Sequence, residues 1–127
     1  MSESAPPRLS ATILLLRDDP GLQVLMVKRH YEIDFASGAL VFPGGMAIEE
    51  DSDPAWADWT DGDFFGTEQA ARISAIREAY EEAGIILARP KSARGAMATL
   101  VGSDVAEALN PMRGPVDRRE QSFLDLI

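Results

Sequence analysis

Apolar residues crowd the first part of the chain in short runs separated by turn residues. The run SATILLLRD, residues 10–18, is apolar almost without a break, which suits a strand buried on both faces. Asp18, Asp19, Pro20 and Gly21 form a turn by composition. Leu22, Val24 and Met26 then fall on one side of the chain, with Leu25 and Val27 on the other. The pattern predicts a β-hairpin of Thr12–Arg17 with Leu22–Arg29. A further short strand is predicted over Ala39–Phe42, stopped by Pro43, Gly44 and Gly45.

Residues 46–66 break the apolar pattern. They hold Glu49, Glu50, Asp51, Asp53, Asp58, Asp61 and Asp63, with Trp56 and Trp59 between them. This reads as an acidic insertion with one short helical turn, its acidic run 49–53 solvated and its tryptophans packed on the body. Helical periodicity begins after it, through Ala70, Ile73, Ile76 and Ala83. The predicted helix is Glu68–Ala83, with Thr67 as N-cap and Gly84 as a left-handed C-terminal residue. Residues 85–87 read as a short strand. VGSDVAEAL reads as a helix capped by Ser103, Asn110–Pro115 as a break, and the segment from Val116 as the start of another amphipathic helix.

The chemistry sits on the first helix. Positions i, i+3 and i+4 share a helix face, so Glu78, Glu81 and Glu82 lie together. Three such carboxylates repel one another unless something neutralises them, and Mg²⁺ or Mn²⁺ takes oxygen ligands of this kind. Arg77 stands four residues before Glu81, an ion-pairing distance on a helix. A bare glutamate cluster is also what a solvated face looks like. The context is more restrictive: a strand, then Phe-Pro-Gly-Gly, then a helix carrying Arg-Glu-x-x-Glu-Glu-x-Gly.

That order resembles the Nudix hydrolase superfamily. REAYEEAGI, residues 77–85, is similar to the core of the Nudix box, and VFPGG to the strand and turn before it. The resemblance covers roughly residues 10–90 and implies an α/β fold, an α/β/α sandwich around a mixed sheet. It implies metal-dependent hydrolysis of a diphosphate linked to another moiety. It makes Glu78, Glu81, Glu82 and the backbone of Gly45 metal ligands, and Glu78, Glu81 and Arg77 the catalytic set. Glu78 would be a ligand or would handle the attacking water, and Arg77 would fix the glutamates. Arg29, Gly44 and Gly45 would meet substrate. Counting back from Arg77, Gln69 stands where the family's first glutamate belongs and Asp63 where its glycine belongs, with Glu68 one residue off. That role is vacant, or falls to Glu68 or to an acid of the insertion.

The insertion and VKRHYEIDFASGALVFPGG also resemble the peroxisomal-type coenzyme A diphosphatase branch and its bacterial relatives. The implied substrate is coenzyme A or an acyl-coenzyme A, with ADP-ribose or another nucleoside diphosphate derivative as the alternative. The resemblance also implies further strands beyond Leu87. None is evident up to Ile127, so the chain reads as C-terminally incomplete. A Nudix-like binding module or an inactive fragment is the rival reading.

Composition narrows the partners. The chain has 127 residues and a formal net charge of −9, which disfavours nucleic acid and anionic membrane surfaces. A small anionic substrate stays open, because a bound cation reverses the local field. There is no cysteine, hence no disulfide, thiolate site or cysteine nucleophile. Residues 1–9 read as a flexible leader without signal-peptide features, and residues 10–127 as one domain. The expected setting is cytoplasmic, with a small-molecule diphosphate as partner and a homodimer as the possible assembly. His30, the lone histidine, reads as a surface residue rather than a base.

Overall fold

The computed structural model describes residues 6–28, 39–62, 64–91 and 101–127. Six short strands come first: β1 (Ser10–Thr12), β2 (Leu16–Asp18), β3 (Leu22–Val24), β4 (Val27–Lys28), β5 (Leu40–Val41) and β6 (Gly44–Met46). Two 3-10 helices follow, Glu49–Ser52 and Pro54–Trp59. Then come α1 (Gly66–Ala83), α2 (Ser103–Leu109), a 3-10 turn over Asn110–Met112, α3 (Arg113–Asp117) and α4 (Phe123–Leu126). The result is an α/β fold.

The predicted hairpin forms only in its outer half. β2 pairs with β3, antiparallel, placing Leu16 opposite Val24 and Asp18 opposite Leu22. β1 turns instead to β6, with Thr12 opposite Gly44 and Ser10 opposite Met46. The chain therefore changes partner between Thr12 and Leu16. Ile13 N–H donates to Pro43 O at 2.9 Å, and Leu25 N–H donates to Leu15 O at 2.9 Å. Gly44 and Gly45 do not stop a strand. They belong to one, because β1 closes on them, and a Cβ on Gly44 would run into the carbonyl of Ala11. Among the described residues the strands make three antiparallel pairs rather than one mixed sheet.

Burial on both faces, expected for 10–18, is not found. Leu14, Leu16 and Leu22 are exposed, Leu22 by 76%. A two-stranded ribbon offers each apolar side chain at most one neighbouring strand, and no described layer covers β2 and β3. Residues 85–87 form no strand, and Ile86 is drawn into the core without one.

α1 begins two residues earlier than predicted. Its N-cap is Phe65, which offers no side-chain oxygen, so Thr67 is not the cap. Its end follows the sequence closely: Gly84 adopts φ 70°, and its N–H reaches the carbonyls of Ala79 and Tyr80. Arg113 donates to the carbonyls of Tyr80 at 3.1 Å and Glu81 at 3.3 Å, filling acceptors the helix end would leave bare. Ser103 likewise begins α2 rather than capping it, with Gly102 before it. Asn110–Pro115 is no break but a tightened turn leading into α3. The predicted last helix is interrupted at Arg119, whose φ is 63°.

α1 is buried on two sides. Ile73 and Tyr80, two turns apart, meet Trp56, Ile86, Val116 and Phe123 in the apolar core. Phe123 lies between two aromatic rings, 5.7 Å from Trp56 and 5.6 Å from Tyr80. Trp56 Nε1–H donates to Glu50 O at 3.0 Å, so its one polar group is satisfied. Tyr80 does the same with Leu109 O at 2.6 Å. The other side of α1 packs on β1, β6 and the first 3-10 helix. There the buried residues are polar: Ser74, Arg77, Glu78 and Glu81.

The two tryptophans should therefore separate in a urea titration. Trp56→Ala removes a core ring and should cost about 3–5 kcal/mol. Trp59, 48% exposed with Lys91 over its ring, should cost under about 1 kcal/mol when changed to Ala. Equal losses would contradict the assignment of Trp56 to the core.

Candidate functional site

Arg77 is the centre of the polar side of α1. Its side chain is 1% exposed. Nε donates to Asp51 Oδ1 at 3.1 Å and Nη2 to Asp51 Oδ2 at 3.0 Å, a two-pronged grip on one carboxylate. Nη1 donates to Glu81 Oε1 at 2.9 Å and to Glu78 Oε1 at 3.2 Å. Nη2 also reaches Met46 O, at the end of β6, at 3.2 Å. Burial alone would lower the Arg77 pKa. Its bonds and charge pairing with Asp51 and Glu81 outweigh that and hold it above the ordinary arginine value.

Asp51 is not the solvated loop residue that the acidic run suggested. It is buried, and Oδ2 also accepts from Ile48 N–H at 2.8 Å. Its neighbours have structural tasks too. Glu50 Oε1 accepts from Ser122 Oγ and, at 2.8 Å, from Leu124 N–H, pinning the start of α4. Asp53 Oδ1 accepts from Ala55 N–H at 2.9 Å and caps the second 3-10 helix. Gln69, at the position expected for a glutamate, is buried and donates to the carbonyls of Asp53 at 3.1 Å and Asp51 at 3.4 Å. It fastens the insertion to α1. Glu68 faces away, exposed and paired with Arg72 at 3.2 Å.

The three glutamates are held differently. Glu78 is pushed above the usual carboxylate range, first by burial and then by a hydrogen bond to Glu82. It fills the space a side chain on Gly45 would need, since a Cβ there would overlap the Glu78 carboxylate. Glu81 is also raised by burial, against the pull of Arg77. Its Oε1 takes a second guanidinium, Arg119 Nη1, at 2.8 Å. Its Oε2 is buried with no hydrogen-bond partner. Glu82 is half-buried beside Glu78. Thus Arg77, Glu78, Glu81, Glu82 and Gly45 are brought together as the sequence implied, and Gly44 stands beside Gly45 in β6. Arg29 and His30 lie outside the described residues.

Asp51 and Arg119 escape a reading of the sequence. Asp51 is one acid among several in the insertion, with no local sign that it differs from its neighbours. Arg119 follows a turn placed in the middle of a predicted helix.

The donor set suits a hard divalent cation. All candidate ligands are oxygens. Four carboxylates, Asp51, Glu78, Glu81 and Glu82, face two guanidinium groups, a formal excess of two negative charges. Glu81 Oε2 is a buried acceptor with nothing to accept. Among the described residues, no three acidic or histidine side chains already form a metal-holding group, and the arginines occupy one oxygen of both Glu78 and Glu81. No described helix is long and apolar enough to cross a membrane.

Asp51→Asn should destabilise the chain by about 3 kcal/mol or more in urea, because it weakens the pairing of a buried cation. A loss within experimental error would mean that Arg77 does not depend on Asp51. The raised glutamates also fix a pH trend. In metal-free protein the native state holds their protons more tightly than the unfolded chain, whose glutamates titrate near 4.5. Stability conferred by these protons is complete below that value and is lost as pH rises through the raised native values. Glu78→Gln should flatten this decline in urea midpoints recorded from about pH 5 to pH 8. An unchanged slope would remove Glu78 as its source.

No model of a known protein family matches the chain. Its structure resembles the crystal structure of a NUDIX hydrolase from Alicyclobacillus acidocaldarius, with a TM-score of 0.57 and 26% sequence identity over 84% of this chain. The chain spans half, 50%, of that protein's length. The protein has a Nudix-like α/β fold, with its glutamate helix on the motif that suggested the resemblance.

Proposed function

We propose that this chain is a metal-dependent diphosphate hydrolase domain of the Nudix kind, acting on a nucleoside diphosphate linked to another moiety. The observation that carries the proposal is the buried Arg77 cluster. It gathers Glu78 and Glu81 on one face of α1 against Gly45, with Glu82 beside Glu78, within a Nudix-like fold. Coenzyme A or an acyl-coenzyme A is the substrate we favour, on the resemblance of the insertion and the approach to Pro43–Gly45. ADP-ribose is the alternative.

Glu78, Glu81 and Glu82, with the backbone of Gly45, would hold Mg²⁺ or Mn²⁺. When bound, such an ion neutralises diphosphate charge and lowers the pKa of water. The protein's own part is positional and protonic. Arg77 holds Glu81 through Oε1, and Asp51 holds Arg77. Glu78 is held by Arg77 at Oε1 and by a hydrogen bond with Glu82; if it is not a ligand, it would take up the proton of the attacking water. Burial and Glu82 raise its pKa, which brings a carboxylate closer to working pH and makes it a better base. Gly45 contributes by lacking a side chain, so that β6 can approach Glu78.

A binding module without turnover is the second reading. It is favoured by the absence, among the described residues, of three carboxylates already grouped for a metal. Product analysis by mass spectrometry separates the two. The chain is incubated with Mg²⁺ or Mn²⁺ and coenzyme A, acetyl-coenzyme A, ADP-ribose or NADH. Metal-dependent cleavage at the diphosphate is expected, falling by about 10²–10³-fold in Glu81→Gln without loss of fold by circular dichroism. Full turnover in that variant would refute the site. A folded wild-type chain that cleaves none of the panel would favour the binding module.

A further inference from the structure

We infer that Arg119 is a positioning residue that works through Glu81, aiming its free oxygen at the cation. The inference rests on the hydrolase reading above and adds a residue that the Nudix-like motif does not contain.

Arg119 lies on the turn after α3, 38 residues beyond Glu81. Its backbone is in the left-handed region, φ 63°, which side-chain-bearing residues rarely adopt. Neighbouring bonds impose that conformation: Arg119 N–H donates to Val116 O at 3.1 Å, and Glu120 N–H to Pro115 O at 2.8 Å. The turn sends the guanidinium back to α1. Nη1 meets Glu81 Oε1 at 2.8 Å and braces on Val116 O at 2.9 Å and Asp117 O at 3.2 Å.

The consequence is an asymmetric carboxylate. Arg77 and Arg119 both donate to Oε1, and neither donates to Oε2. Two planar donors anchored on different elements oppose rotation of the carboxylate about its last bond. Oε2 is thereby held in one direction, buried and unpartnered. A carboxylate gripped by one arginine alone can swing and exchange its oxygens. Partners of this kind, one step behind a ligand, commonly change metal affinity by about 10–100-fold.

A purely structural Arg119 would act by closing the turn on Val116 and Asp117. Arg119→Gly tells the two apart, since glycine accepts φ 63° without strain and so removes the guanidinium while sparing the backbone. Mn²⁺ binding is measured by calorimetry and by the electron paramagnetic resonance of free Mn²⁺, and melting is followed in the same samples without metal. Arg119→Gly should keep a melting temperature close to wild type and bind Mn²⁺ about tenfold or more weakly. In a Glu81→Gln background the same change should have little further effect on Mn²⁺, because both act through one carboxylate. Wild-type Mn²⁺ affinity in a folded Arg119→Gly chain overturns the inference while leaving the hydrolase reading intact. If the glycine variant does not fold, Arg119→Gln decides in the same way, keeping an N–H donor but not the charge. A wild-type chain that binds no Mn²⁺ overturns both the inference and the metal-dependent reading beneath it.

Discussion

A single buried guanidinium orders this protein. Arg77 is enclosed on α1 and must find partners for its donors, because an unpaired charge in that position would cost several kcal/mol, on the order of the whole stability of a small domain. The partners come from different places: Asp51 from the insertion, the carbonyl of Met46 from β6, and Glu78 and Glu81 from its own helix. Satisfying one residue therefore fixes how three segments meet. The acidic face of α1 is a buried seam between the helix and the strands, held together by Arg77.

The insertion takes its meaning from this seam. In the sequence it is a run of acids and two tryptophans between a strand and a helix. In the fold several of these side chains have separate tasks. Glu50 pins the start of α4, Asp51 grips Arg77, Asp53 caps a 3-10 helix, and Trp56 fills the core beside Phe123. Gln69 joins insertion to helix through two backbone carbonyls. The glutamine that departs from the Nudix pattern and the aspartate that binds Arg77 are thus parts of one arrangement.

The legible features were local ones. The spacing of Glu78, Glu81 and Glu82 and the arginine before them needed only helical geometry, and Gly84 announced the end of α1 because few other residues tolerate its backbone conformation. Strand partners were less legible. Nothing in SATILLLRD says that Thr12 will face Gly44 while Leu16 faces Val24, since the apolar run fits either neighbour. The buried acid was hidden for a related reason: Glu49, Glu50, Asp51 and Asp53 look alike until something brings Arg77 against one of them. Arg119 was concealed by a turn that reads as helix and bends the other way.

The bonds that build the seam join residues far apart in the chain, 26 positions for Arg77 with Asp51 and 38 for Arg119 with Glu81, and the bond that pins α4 spans 74, from Leu124 to Glu50. α1 can form early from local contacts, but its acidic face then carries repelling charges that only distant segments relieve. The seam is therefore complete only when segments far apart in the chain have met.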